Sequence, residues 1–269
     1  MTKLHKILRA AGASGAMFAL AGSALADGYS GSIKDAPVAP ARTFSYSVNA
    51  AVTTDYIFRG ISQSSESPAL SAGFDASYGI LYAGFWGSNI DFDGIAPDGS
   101  VEMDVYAGIK PVLGPVTFDF AVLGYLYPNS DNLGGDEVNY LELKAGASIT
   151  PFTNASLGVA VYYSPDFTGN FDEGVAVEGT AGYTFASIGR FTPSVSGLIG
   201  YQTADTDPIS QAGFEDEYTY WNVGASVAFD KFTLDVRYWD TDIEADSAFP
   251  VGETYADERV VGTIKVVLP

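Results

Sequence analysis

Every segment of this chain that could form regular structure alternates apolar and polar residues at a period of two, and the links between segments are alternately short and long. From Thr43 onward, Phe44, Tyr46, Val48, Ala50 and Val52 fall on one side, with Thr43, Ser45, Ser47, Asn49 and Ala51 on the other. That is a strand with two unlike faces. Leu70, Ala72, Phe74, Ala76 and Tyr78 oppose Ser71, Gly73, Asp75 and Ser77 in the same way. Val101, Met103, Val105, Ala107 and Ile109 oppose Glu102, Asp104, Tyr106, Gly108 and Lys110. The alternation recurs over residues 80–92, 116–127, 138–149, 155–163, 175–185, 191–202, 218–229, 232–239 and 259–268, which makes twelve predicted strands. No helical period exceeds two turns.

Short links fall at Gly79, 111–115, 150–154, 186–190 and Asp230, and long ones at 61–68, 93–100, 128–136, 164–173, 203–217 and 240–257. Tight turns at one end, long loops at the other and an even number of strands of about ten residues are the pattern of an outer-membrane barrel. A soluble sandwich crosses over in Greek keys and has no reason for this alternation. The predicted fold is all-β: a transmembrane up-and-down antiparallel β-barrel of about twelve strands.

Lys3, Lys6 and Arg9 precede an apolar, Ala/Gly-rich run over 10–25 that closes on Ser23-Ala24-Leu25-Ala26. This predicts a secretory signal peptide over 1–26. No later stretch approaches the run of about 18 apolar residues that a spanning helix needs. Residues 27–42, broken by Pro37 and Pro40, read as an irregular periplasmic arm, and 43–269 as a single barrel domain. The chain has no cysteine, so burial or a bilayer must supply the stability that disulfides give many exported domains.

The chain carries 33 acidic against 13 basic residues, a formal net charge of −20. Such a surface repels phosphate, which excludes nucleic acid as a partner. Aromatic residues at 14% and apolar residues at 47% set it apart from acidic disordered chains. About two thirds of the acids lie in or beside the long loops, which contain no Lys or Arg, whereas Lys110, Arg190 and Lys231 flank short turns. One rim is therefore strongly anionic. The only histidine, His5, lies in the signal peptide, so imidazole-assisted nucleophilic catalysis is closed to the mature protein and neither an enzyme nor a cofactor is expected. Acids are too abundant for any carboxylate pair to point to glycoside hydrolysis. Asp91, Asp93 and Glu102 fit three positions of a calcium-binding loop, but Ile95 and Ala96 stand where an oxygen ligand and a glycine are required, so the segment reads as an acidic hairpin loop with no metal site.

The alternation turns Asp55, Asp75, Glu102, Asp104, Asp119, Glu142, Glu178 and Asp235 inward, together with Arg59, Lys110, Lys144, Arg237, Arg259 and Lys265. A surplus of luminal acid behind an anionic mouth concentrates cations. The expected function is a porin-like channel for passive diffusion of small hydrophilic solutes or ions, weakly cation-preferring. Twelve strands lie between the filled eight-stranded barrel and the open porins of 16 to 18. Small inward residues such as Ser45, Ser47, Ser71, Gly73, Ser194 and Ser196 suit an open interior, or equally relieve crowding in a closed one. A non-conducting structural or adhesive barrel with acidic, divalent-cation-binding loops is the alternative. A soluble ligand-binding barrel is a third, and it would need the apolar faces inside.

The same alternation predicts that the first strand runs on through Asp55-Tyr56-Ile57-Phe58-Arg59. Continued alternation puts Tyr56 and Phe58 outward in an aromatic girdle at headgroup level and Asp55, Ile57 and Arg59 in the lumen. The same charges would suit the solvated face of an ordinary strand, and this stretch alone leaves both readings open. Tyr56, Phe58, Arg59, Gly60, Ile61, Ser62 and Gln63, followed by Tyr82, Ala83, Gly84, Trp86, Gly87, Ser88 and Asn89, resemble two blocks of the TorF-type porins, a proteobacterial outer-membrane family. The resemblance implies a β-barrel and a pore in a Gram-negative outer membrane, with outer-membrane lipid, lipopolysaccharide and the barrel assembly machinery as partners. The chain departs from barrels of this kind in ending on Leu268-Pro269 rather than an aromatic residue, which predicts weak reading of the last strand by that machinery.

Acids in the stretch 239–246 would bridge the rim to lipopolysaccharide phosphates through divalent cations. Neutralising Asp240, Asp242 and Glu244 together is expected to abolish the chelator-sensitive part of thermal melting in lipopolysaccharide-containing membranes.

Overall fold

The computed structural model describes residues 43–91, 100–128, 139–167, 173–204, 217–243 and 255–269. The signal peptide and arm expected over 1–42 lie outside them. Fifteen strands are formed among the described residues: β1 (Phe44–Thr53), β2 (Ile57–Phe58), β3 (Ile61–Ser62), β4 (Ala69–Tyr78), β5 (Leu81–Asn89), β6 (Val101–Ile109), β7 (Val112–Leu113), β8 (Val116–Leu126), β9 (Tyr140–Ile149), β10 (Ala155–Ser164), β11 (Gly174–Thr184), β12 (Thr192–Ala204), β13 (Glu217–Phe229), β14 (Phe232–Thr241) and β15 (Arg259–Leu268). Twelve of them are nine to thirteen residues long and pair antiparallel in chain order. The sheet closes where β1 pairs with β15, from Val48 opposite Leu268 to Thr53 opposite Thr263. β7 is a two-residue extension on β8, and β2 with β3 forms a separate ribbon.

Closure is what this alternation requires. A strand in hydrocarbon cannot leave one row of N–H and C=O groups unpaired, and a cylinder has no edge. Each tight turn at the end taken as periplasmic carries a residue of positive φ, namely Gly79 (61°), Gly114 (59°), Asn154 (69°), Gly189 (63°) and Asp230 (53°). Such turns match the twist of the strands they join.

The outward face is apolar over the full circumference: Val52, Leu70, Phe85, Val105, Val159, Val177, Val223, Val236 and Ile264 are all exposed. That is the surface of a protein whose solvent is lipid. Near the tight turns, outward rings approach one another in pairs, among them Phe152 with Tyr183, Tyr183 with Phe185 and Phe229 with Phe232. These rings supply an aromatic girdle at that end.

Tyr56 and Phe58 are not part of a girdle. The first strand stops at Thr53, and the chain from Asp55 to Ser64 turns into the barrel, where Tyr56 is 4%, Phe58 5% and Arg59 2% exposed. The expectation that alternation continued through Phe58 is overturned. Period two holds only while a strand stays in the wall, and the partners that draw this segment inward are carboxylates remote in sequence. Arg59 (φ 45°) and Gly60 (φ 85°) make the tip of the β2–β3 ribbon. A side chain at Gly60 would bring its Cβ within 2.4 Å of Thr241 Cγ2 and 2.9 Å of Tyr220 Cβ, so the tip is pressed against the wall at β14 and β13.

Val223 lies midway along β13 and is 59% exposed, between the buried Asn222 and Gly224. Val223→Arg is expected to cost about 2–4 kcal/mol as a charge on the lipid face near the midplane. Equilibrium refolding titrations into vesicles would measure this, with Val223→Leu nearly neutral.

Candidate channel lumen

The lumen divides into two halves of different character. In the half nearer the long loops, the infolded segment meets the wall on every side. Arg59 lies between two carboxylate oxygens of Glu142 on β9, with Nη1 to Oε1 and Nη2 to Oε2 both 2.9 Å. Nη1 also donates to Gln202 Oε1 on β12 at 2.7 Å. The guanidinium carbon stands 5.0 Å from the ring centroid of Tyr162 on β10 and 4.5 Å from that of Phe58. Tyr125 on β8 donates to the same carboxylate at 2.9 Å. This paired, planar grip is the geometry that a guanidinium fork offers a carboxylate. Both partners are only 2% exposed.

The base of the segment is held separately. Asp55 accepts hydrogen bonds from Ser62 (2.6 Å) and Ser64 (3.0 Å) and pairs with Arg259 on β15 at 3.0 Å. Tyr56 donates to Glu102 on β6 at 2.9 Å, and its ring packs edge-on against Trp86 of β5. Asp104, two residues beyond Glu102 on the same inward face, is fully buried. Glu178 on β11 accepts from Tyr220 on β13 at 2.6 Å.

The half nearer the tight turns is open to solvent. Lys144 and Asp119 pair at 2.8 Å with side chains 17% and 19% exposed, and Tyr82 donates to the same carboxylate. Arg237 pairs with Asp235 at 3.1 Å and donates to Asn222 and Ser196. Asp75 accepts from Tyr106 and Asn49, and Lys265, half-buried, feels its charge. Tyr106 lies opposite Gly84, Tyr82 opposite Gly108 and Tyr220 opposite Gly200, so each ring folds flat over a position without a side chain. At Gly200 an added Cβ would sit 2.2 Å from the Tyr220 ring.

All thirteen luminal candidates thus lie inside the barrel: Asp55, Arg59, Asp75, Glu102, Asp104, Asp119, Glu142, Lys144, Glu178, Asp235, Arg237, Arg259 and Lys265. Asp55 and Arg59 reach it from the infolded segment rather than from a strand. Lys110, also assigned inward, sits in the link after β6 with its ammonium 4.5 Å from the Tyr82 ring centroid. Sequence reasoning missed the tyrosines at 125, 162 and 220 and Gln202, which bind the charged groups. A signal existed, since each falls on the polar side of its strand, where an aromatic ring is out of place unless its hydroxyl is used. The calcium-loop spacing fails, because Glu102 is buried in the lumen under Tyr56; Asp93 lies outside the described residues. Among the described residues, no three His, Cys, Asp or Glu side chains are grouped to hold a metal.

A closed antiparallel barrel of twelve long strands, apolar outside and charged within, is a transmembrane β-barrel of the outer-membrane kind. By sequence the chain belongs to a family described as bacterial protein of unknown function (Gcw_chp), matched over residues 37–267. No curated protein sequence matches it. In structure it is similar to the KdgM porin, at 8% identity with a TM-score of 0.52, covering 83% of this chain and 98% of that one. The KdgM porin in complex with disordered oligogalacturonate gives 8%, 0.51 and the same coverage. The NanC porin stands at 10% identity and a TM-score of 0.47, over 83% of this chain and 98% of that one. These likenesses are of fold. The segments 56–63 and 82–89 meet in the structure, where Tyr56 packs on Trp86.

Removing one member of a buried ion pair leaves the other charge uncompensated, at about 3–5 kcal/mol. Glu142→Gln is expected to destabilise by that order in denaturant titrations and to expose the peptide bond after Arg59 to trypsin, while Asp235→Asn, at a pair that keeps contact with water, shifts stability by less than about 1 kcal/mol.

Proposed function

We propose that the protein is an outer-membrane channel of the TorF type for small hydrophilic solutes or ions, weakly cation-preferring, with a constriction made by residues 55–64. The observation that carries this reading is the polar interior. The half nearer the tight turns is lined by Lys144, Asp119, Arg237 and Asp235, whose side chains keep 17–22% exposure, and by small residues such as Ser196, an arrangement with no purpose in a barrel that only fills its membrane. The porin fold of its structural neighbours supports a channel rather than an enzyme. Acids outnumber bases at the infolded segment, where Asp55, Glu102, Asp104, Glu142 and Glu178 face Arg59 and Arg259, which favours cations. The signal peptide over 1–26 and the periplasmic arm over 27–42 fit this destination, as do lipopolysaccharide and the barrel assembly machinery as partners.

Refolded into a planar bilayer under a KCl gradient, the protein is expected to show discrete steps with a reversal potential favouring potassium. A variant with residues 56–63 replaced by a Gly-Ser linker of equal length should give larger steps. Silence from both, with the barrel inserted, would overturn the channel reading and favour a structural barrel acting through its acidic loops.

A further inference from the structure

The grip on Arg59 has the composition of a ligand site. Its walls come from four strands: Glu142 on β9, Gln202 on β12, Tyr162 on β10 and Tyr125 on β8. Glu142 offers one carboxylate oxygen to each Nη of the guanidinium, Gln202 supplies a third acceptor, Tyr162 presents a ring face, and Tyr125 orients the carboxylate. The occupant arrives on a short ribbon rather than on the wall. The ribbon is tied at its base by Asp55 to Arg259 and at its flank by Tyr56 to Glu102. If the ribbon withdrew, Arg59 would leave with Phe58, while Glu142, Gln202, Tyr125 and Tyr162 would remain, facing the lumen with an uncompensated negative charge.

Accepting the channel reading, we propose that this cradle is the solute site, that its preferred ligands carry a guanidinium or primary ammonium group, and that Arg59 blocks it as a tethered ligand. A cationic solute entering the lumen competes with Arg59 for Glu142, and its binding holds the ribbon off the wall. Only a cation repairs the charge left on Glu142, so a neutral solute of the same size gains nothing from displacing Arg59. A planar cation matches both oxygens and the ring face together, which ranks guanidinium above ammonium. Anions meet Glu142 and Glu178 and are repelled.

The test is chemical rescue joined to flux. Arg59→Ala, with folding checked by heat-modifiable electrophoretic mobility, should melt below the wild type and recover most of the loss in millimolar methylguanidinium, but not in equimolar urea or sodium. Adding Glu142→Gln should abolish the recovery. In proteoliposome swelling, methylguanidinium entry relative to a neutral solute of equal size should rise severalfold from wild type to Arg59→Lys and further to Arg59→Ala. The lysine variant keeps the charge, so it remains informative if the alanine variant does not fold. Absence of rescue, with equal relative entry in all three proteins, would overturn the inference while leaving the channel intact. Failure of every solute to enter, including through the linker variant, would instead remove the channel reading on which it rests.

Discussion

The structure depends on the rule that a backbone polar group in hydrocarbon must have a partner. It forces the sheet to close, and closure brings β1 against β15 across almost the whole length of the chain. Once closed, the barrel has one face that sees lipid and one that sees only itself and water. Charges that would be scattered on the surface of a soluble protein are gathered within a narrow cylinder. Every other feature of the interior is a response to that crowding.

The two halves of the lumen respond differently. Near the tight turns, charges pair with neighbours close at hand in the wall and stay in contact with water: Lys144 with Asp119 and Arg237 with Asp235. Near the long loops, four buried acids, Glu102 and Asp104 on β6, Glu142 on β9 and Glu178 on β11, project into the interior, where a charge in a dry site needs a partner. The infolded segment provides several at once: the Arg59 guanidinium for Glu142 and the Tyr56 hydroxyl for Glu102, while Tyr220 from the wall serves Glu178. The segment is as much a counter-ion for the wall as an obstruction in the path.

Much of the fold was legible because its determinant is local. The boundaries of β4, β6 and β13 fall within a residue of the alternating stretches, and the five tight turns lie where they were expected. Inward placement of Asp75, Glu142, Arg237 and Lys265 followed from the same parity. Parity failed at Tyr56 and Phe58. Five alternating residues after a strand look like more of it, and nothing within Asp55 to Arg59 reports that Glu142 and Gln202 will lie across the lumen.

The sequence by itself determined an all-β chain with twelve spanning strands, an apolar outer face and an acidic interior, because strand periodicity, turn chemistry and charge are properties of neighbouring residues. Only the tertiary structure decided whether that interior is open. Closing the barrel sets β9 and β12, far apart in the chain, on either side of Arg59, and a buried guanidinium goes where two carboxylate oxygens and an amide converge. That convergence exists in no stretch of sequence, and it turns an apparent continuation of the first strand into the element that narrows the lumen.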